Sequence, residues 1–340
     1  MKYIAVICVA LLIVVAGTQL SIIHYKRITY VSDSNNPNNQ PQESPNILIV
    51  GDVMMGRNVE LLMDKNGDNY PFLFVSELLQ SVDTVAANLE GPISNNHIRT
   101  PSQSVKFDFH PRMPVILAQN NIKIVSLANN HTFDFGAGGY AETAAYLRSA
   151  KVEYFGHPFA YGAEDILRTT VKGKKFIYVG FNITNPNFDY KKALEYVTTI
   201  PHAPDEFLVA FNHGGIEYEL VSDKSQQDFY RGLVDAGADV VIGAHPHVTQ
   251  EIEIYNGKAI FYSLGNFIFD QYWSKDVEQG YAIKLTFVDN KPHYEIIPIQ
   301  STRSQPKLME GEQKELFLKV LAERSTINYK AFIEIGELDP

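Results

Sequence analysis

Between residues 46 and 300, short runs of apolar residues recur, and each hands over at once to polar side chains. Ile47–Val50, Ile122–Ala128, Phe207–Phe211 and Val240–Ile242 are rich in aliphatic and β-branched residues and read as buried strands. Val82–Ala87 is a further run of this kind, broken by Asp83 and Thr84. Between them lie stretches with helical spacing, such as Tyr140–Ala150, with Ala144 and Leu147 on one face, and Gln226–Ala236. Strand and helix alternate, which predicts a layered α/β domain. In such folds the functional crevice lies beyond the carboxyl ends of the strands.

The chain begins differently. No charged side chain occurs from Tyr3 to Ile23, and Lys2 and Lys26-Arg27 flank this run. Its length is about 31 Å as a helix, close to the hydrocarbon thickness of a bilayer. The reading is a membrane anchor over 1–27; the alternative is a cleaved signal peptide ending near Val14-Val15-Ala16. Ser32–Pro45 has no aliphatic or aromatic residue, so 28–45 reads as a flexible linker and the folded part begins near Asn46. After Gln300 the chain is mostly polar. The tail 301–340 holds one amphipathic candidate, Glu315–Glu323, read as a helix packing on the domain, with a partner helix as the alternative.

Composition narrows the chemistry. Of 340 residues 45% are hydrophobic, enough for a large core in one domain or two. The net charge of −10 excludes a basic nucleic-acid surface, and would repel a polyanion unless metal or a local basic patch offsets it. Cys8 is the only cysteine, so there is neither a disulfide framework nor a thiolate metal site.

The residues just past each apolar run narrow it further. Asp52 stands after the first run, Asn88 and Glu90 after the second, Asn129-Asn130-His131 after the third, Asn212-His213 after the fourth, and His245 and His247 after the fifth. Gly243 ends that last run. Pro246 pushes His245 towards an extended backbone, in which residues two apart point the same way. Taken singly, Gly-Asp is a common turn and Asn-Asn a common cap. Five strand ends delivering Asp, Glu, Asn or His are a metal-site pattern, and a donor set of oxygen and nitrogen alone suits Mn, Fe or Zn, as one ion or two. Arg57 has the planar fork that clamps phosphate or carboxylate. Gly136-Ala-Gly138-Gly-Tyr-Ala141 matches a dinucleotide fingerprint but stands too far from the preceding strand, so Gly136–Gly139 reads as a turn leading into the Tyr140–Ala150 helix. There is no nucleophile-elbow or Walker motif.

Six segments, in order, resemble the CapA family of bacterial capsule or poly-γ-glutamate synthesis proteins, relatives of calcineurin-like metallophosphoesterases. They are Gly51-Asp52-Val-Met-Met-Gly56-Arg57, Ala87-Asn88-Leu89-Glu90-Gly91-Pro92, Ser126-Leu127-Ala128-Asn129-Asn130-His131 through Asp134, Asn212-His213-Gly214 with Glu217-Tyr218, Gly243-Ala244-His245-Pro246-His247, and Tyr262-Ser263-Leu264-Gly265-Asn266-Phe267. The resemblance implies a four-layer α/β/β/α sandwich over 46–300 with a two-metal site, and a domain held outside the cytoplasmic membrane by a single-pass anchor. It implies that Asp52 and His247 hold a first metal, that Asn130, His213 and His245 hold a second, and that Glu90 bridges them with Asn88 close by. His131 would protonate a leaving oxygen, with Asp134 either orienting it or capping a helix.

Two positions depart from the pattern. Where metallophosphoesterases have Asp-x-His, this chain has Asp52-Val53-Met54, and a thioether is a poor donor for a borderline ion. Where the family tends to have tryptophan after the fourth-motif histidine, Gly214 stands. Three functions remain open: an accessory protein of capsular polyglutamate synthesis or export beside synthase subunits or other envelope proteins, a metal-dependent phosphoesterase acting on a cell-envelope ester, and a non-catalytic metal-containing binding module.

Overall fold

The computed structural model describes residues 44–340. The expected anchor Tyr3–Ile23 and nearly all of the linker lie outside the described residues. Among the described residues no helix is long and apolar enough to cross a membrane.

The first strand shows why the apolar runs lack alternation. Ile47 and Ile49 face one core, Leu48 and Val50 face another, and all four are fully buried. A strand covered on both faces has no solvent side to mark with polar residues. β1 (Ile47–Val53), β2 (Thr84–Leu89), β3 (Ile122–Ser126) and the short, partly exposed edge strand β4 (Glu153–Phe155) run parallel as four of the nine strands of a first sheet. A second sheet of six strands comprises β5 (Leu167–Val171), β6 (Lys174–Asn182), β7 (Glu206–His213), β8 (Val240–Ala244), β9 (Ile252–Tyr255) and β10 (Lys258–Phe261), in the order β5-β6-β7-β8-β10-β9. The chain then returns to the first sheet with β11 (Asn266–Ile268), β12 (Gln279–Val288), β13 (Lys291–Thr302), β14 (Gln305–Leu308) and β15 (Glu337–Leu338). The long antiparallel pair β12–β13 turns through Asp289 and Asn290, both at positive φ (50° and 63°), which suits the twist of a tight hairpin.

Three cores separate the layers. The outer face of the first sheet packs on α1 (Arg57–Asn66), α2 (Ser76–Gln80), α3 (Met113–Gln119) and α4 (Gly136–Ser149). The inner faces of the two sheets share a core through Ile47, Ile49, Phe176, Tyr178, Val209 and Ile242. The outer face of the second sheet is covered by α5 (Tyr190–Thr198) and α6 (Lys224–Asp235). Both helices start on an aspartate cap: Asp189 accepts from Lys192 N, and Asp223 accepts from Ser225 N and Gln226 N. The architecture is a mixed α/β fold of two stacked sheets between helices.

Several local expectations are corrected. Gly51 and Gly243 do not end their strands; β1 runs on through Asp52, and β8 runs on to Ala244. Each glycine instead permits a close crossing. A Cβ at 51 would lie 1.9 Å from the carbonyl oxygen of Gly265, and one at 243 would lie 1.9 Å from that of Tyr262. Gly136–Gly139 are the first turn of α4, not a turn before it. Residue 300 is no boundary either, since β13 passes through it to Thr302 and pairs with β14 and β15. From the supposed tail, α7 (Gly311–Arg324) and α8 (Lys330–Ile335) send Phe317, Leu318, Leu321 and Ile333 into the core between the sheets.

Candidate metal centre

The polar residues at the strand ends meet at one edge of the two sheets. β1 carries Asp52, β2 carries Asn88 with Glu90 directly after it, and the segment after β3 carries Asn129, Asn130 and His131. From the facing sheet, β7 ends on His213, and His245 and His247 follow β8. Asp52, Asn88, Glu90, His213, His245 and His247 are buried.

Contacts link all seven expected donors. Asn88 Nδ2 donates to Asp52 Oδ1 at 2.8 Å and to Glu90 Oε2 at 3.3 Å, and lies 3.2 Å from His213 Nδ1. His213 Nε2 lies 2.8 Å from Asn130 Oδ1 and 3.1 Å from His245 Nδ1. His247 Nδ1 is 3.4 Å from Asp52 Oδ2, and its Nε2 is 3.8 Å from Glu90 Oε1. Asn88 thus faces the cluster with its amide nitrogen, which cannot ligate a cation, while its Oδ1 accepts from Asn129 at 3.0 Å. In this arrangement it orients the donors rather than joining them.

His245 and His247 converge by a route other than the extended one expected. Their φ angles are 100° and 60°, in the left-handed region, and their ring centroids are 6.0 Å apart. Non-glycine residues hold such angles only where the surroundings over-determine them, which is common at functional sites.

The site fits a divalent cation on three grounds. Glu90 Oε1 is buried without a hydrogen-bond partner. Burial, and then the neighbouring Asp52 charge, push the Glu90 carboxyl well above its usual range. Burial holds His213 well below the ordinary imidazole range and, together with His247, takes His245 to about 3, so both rings are neutral with lone pairs to offer. Neutral imidazoles and crowded carboxylates favour a cation in place of protons. Two donor trios lie within 4.8 Å, Asp52–Glu90–His213 and Glu217–His245–His247.

His131 sits beside this cluster, with Nε2 3.9 Å from Glu90 Oε1. Its Nδ1 is 2.9 Å from Asp134 Oδ2, and the same oxygen accepts from Phe107 N at 2.7 Å. Asp134 therefore orients His131 and does not cap α4, whose N-terminal residue Phe135 makes no side-chain cap. The Phe107 ring stacks on His131 at 3.9 Å, and the Arg57 guanidinium lies over its ring, 4.6 Å from the centroid. Arg57 differs from the expected free clamp. Its Nε and Nη2 are bound by buried Asp270, and its Nη1 donates to Ser104 O at 2.9 Å, so this edge of the fork is already filled by a carboxylate of the chain itself.

Met54 points away from the donors. Its side chain is buried in the core beneath the helices, and its sulfur accepts from Gly56 N at 3.2 Å. Gly214 also has a local cause, since a Cβ there would lie 1.9 Å from Ile183 Cγ1.

Four residues had no role assigned from sequence. Asn129 is fully buried; its Oδ1 accepts from His131 N, Thr132 N and Thr132 Oγ1, and its Nδ2 donates to Asn88 Oδ1 and Leu89 O. Asn266 Oδ1 lies 3.1 Å from His247 Nδ1. Asp270 holds Arg57, and Glu217 faces His245 and His247. Asn129, Asn266 and Glu217 stand inside the motif segments, which was the available signal; Asp270 lies outside them and had none.

Residues 46–271 match the profile of the family described as bacterial capsule synthesis protein PGA_cap. The PGA biosynthesis protein CapA of Bacillus subtilis (strain 168) is 28% identical over 317 residues, covering 85% of this chain and 80% of that one. The capsule biosynthesis protein CapA of Bacillus anthracis is also 28% identical, over 297 residues, covering 78% and 69%. The crystal structure of TT1561 of Thermus thermophilus overlays with a TM-score of 0.40 and 11% identity, across 71% of this chain and 94% of that one, a likeness too loose to argue from.

Proposed function

The chain belongs to the bacterial capsule synthesis protein family PGA_cap, and on that premise we propose that it is an accessory protein of capsular poly-γ-glutamate synthesis or export. In this reading the apolar segment Tyr3–Ile23 tethers the domain to the cytoplasmic membrane, and the domain works outside it beside synthase subunits. The observation that carries the proposal is the family match across 46–271, which contains every donor of the candidate centre. Deleting the gene in its host should remove surface polymer, and the wild-type gene should restore it. A Glu90→Gln/His213→Ala variant should fail to restore it while accumulating normally. Full restoration by that variant would separate the biological role from the metal centre.

A second reading, a phosphoesterase of metallophosphoesterase type, is favoured by the His131–Asp134 pair. Asp52, Glu90, Asn130, His213, His245 and His247 would hold one or two divalent ions. Such an ion supplies Lewis acidity towards a phosphoryl oxygen and acidifies water near neutral pH. Asp134 fixes the Nδ1 proton of His131 and leaves Nε2 facing the cluster, where it can pass a proton to a leaving oxygen. Phe107, stacked on that ring, keeps it from turning and excludes water from one face. His131→Gln should lower Mn-dependent hydrolysis of an aryl phosphate by about 10²–10⁴-fold with metal content unchanged. No hydrolysis by the metal-loaded wild type would leave a non-catalytic binding role.

A further inference from the structure

We propose that Glu217 is a metal ligand that supplies the donor missing at Met54, so that the centre holds two cations with comparable donor sets. The proposal rests on the metal-centre reading above.

The family resemblance implies only Asp52, Glu90 and His247 for the first cation, because Met54 stands where a histidine is usual. The structure removes Met54 from consideration, since its side chain is packed in the core beneath the helices. It also brings in a replacement. Glu217 lies on the exposed segment after β7, yet a carboxylate oxygen of Glu217 and ring nitrogens of His245 and His247 lie within 4.8 Å of one another. His247 in turn lies 3.4 Å from Asp52 Oδ2, so the two donor trios share one centre.

The position of Glu217 is built in by the backbone. The next residue, Tyr218, donates its peptide N–H to the carbonyl of Pro246 at 2.8 Å. Pro246 is the residue between the two histidines, so the segment bearing Glu217 is fastened to the segment bearing the other two donors. Tyr218, His245 and His247 all have positive φ, at 67°, 100° and 60°. Three strained non-glycine residues around one set of donors point to a constraint that polypeptide packing alone does not require. Gly215 makes the approach possible at a φ of 107° with Gln226 beneath it.

The charge balance is also informative. Asp52, Glu90 and Glu217 carry three negative charges when ionised, and the histidines carry none when ligating. One divalent cation leaves the centre net negative, whereas two make it net positive and able to attract an anion. Glu217 thereby ties anion binding to double occupancy.

The test is equilibrium dialysis of the full-length protein against Mn²⁺, with inorganic phosphate as the anionic probe. The wild type should bind two Mn²⁺ per chain, and phosphate should bind only to the doubly loaded form. Glu217→Gln, which keeps the shape and removes the charge, should weaken one Mn²⁺ by at least about tenfold, since even losses behind the ligand shell cost 10–100-fold. Its metal-free thermal midpoint should be unchanged because the residue is exposed, and Glu217→Asp should restore part of the affinity. Two Mn²⁺ bound by Glu217→Gln with wild-type affinity would overturn the assignment of Glu217 alone. No Mn²⁺ bound by the wild type would overturn it together with the metal-centre reading.

Discussion

Nε2 of His213 faces Nδ1 of His245 across 3.1 Å, and each ring comes from a different strand of the second sheet's carboxyl edge. Two buried imidazoles at this distance can share at most one proton between them. Asn88 Nδ2, a donor only, lies 3.2 Å from the other nitrogen of His213, so His213 accepts there and carries its proton on Nε2. That proton lies on the side facing Asn130 and His245, so a cation bound at Nε2 would require it to move to Nδ1 and the Asn88 amide to turn its oxygen there.

The same crowding sets a pH dependence for the metal-free protein. Folded His213 and His245 have pKa values lowered from 6.5, the latter to about 3, so the unfolded chain binds more protons below pH 6.5 and stability falls as pH drops through that range. Glu90 has the opposite sign: its folded pKa is raised above 4.5, so stability falls as pH rises from there towards the raised value. Two histidines against one carboxylate mean that the metal-free protein gains stability on balance as pH rises towards 6.5. Added Mn²⁺ displaces the Glu90 proton, so its stabilising effect should grow with pH and remove the alkaline decline. Chemical denaturation across the pH range, with and without Mn²⁺, measures this; a metal effect that weakens with rising pH would contradict it.

Met54→His should not complete the metal site. The new imidazole would occupy the apolar core beneath the helices that Met54 now helps to fill, where an unpaired polar group costs about 1–3 kcal/mol. Urea unfolding should show that loss, and Mn²⁺ titration should show unchanged affinity. A tightened site would mean that the β1 end can rotate this side chain towards Asp52.

Asn129→Ala should be among the most damaging single changes near the site. It strands the peptide N–H groups of His131 and Thr132 and frees Asn88 to turn its amide. The expected cost is about 2–4 kcal/mol, with weaker metal binding as well, because Asn88 orients three donors. Unfolding and metal titration together test this, and a neutral result on both would show that water replaces the hub.

Leu321→Ala addresses the end of the chain. Leu321 is fully buried between the sheets on α7, so truncation should cost about 2–5 kcal/mol. Leu316 on the same helix is 57% exposed, and Leu316→Ala should change stability by less than about 0.5 kcal/mol. Equal effects of the two changes would mean that the helix packs otherwise.

The apolar runs alone marked β1, β2, β3, β7 and β8, because burial on both faces leaves a stretch rich in aliphatic residues, whereas β6, β10, β12 and β13 were not read from the sequence. The motif segments likewise named Asp52, Glu90, Asn130, His213, His245 and His247, since each lies at the end of a strand of one sheet or the other and strand ends gather at one edge. Tertiary structure decided what depends on direction and distance. Asp134 holds His131 instead of a helix end, Arg57 is bound by Asp270 from 213 residues away, Met54 turns into the core, and Glu217 reaches the histidines through the Tyr218–Pro246 hydrogen bond. The helix over Glu315–Glu323 was legible in the tail and packs on the domain as expected, but its place in the core against β9 and β13 was not, because composition cannot bring those strands beside it. Residue type fixes which chemistry is available locally, while the facing of side chains across two sheets arises only once the sheets are stacked.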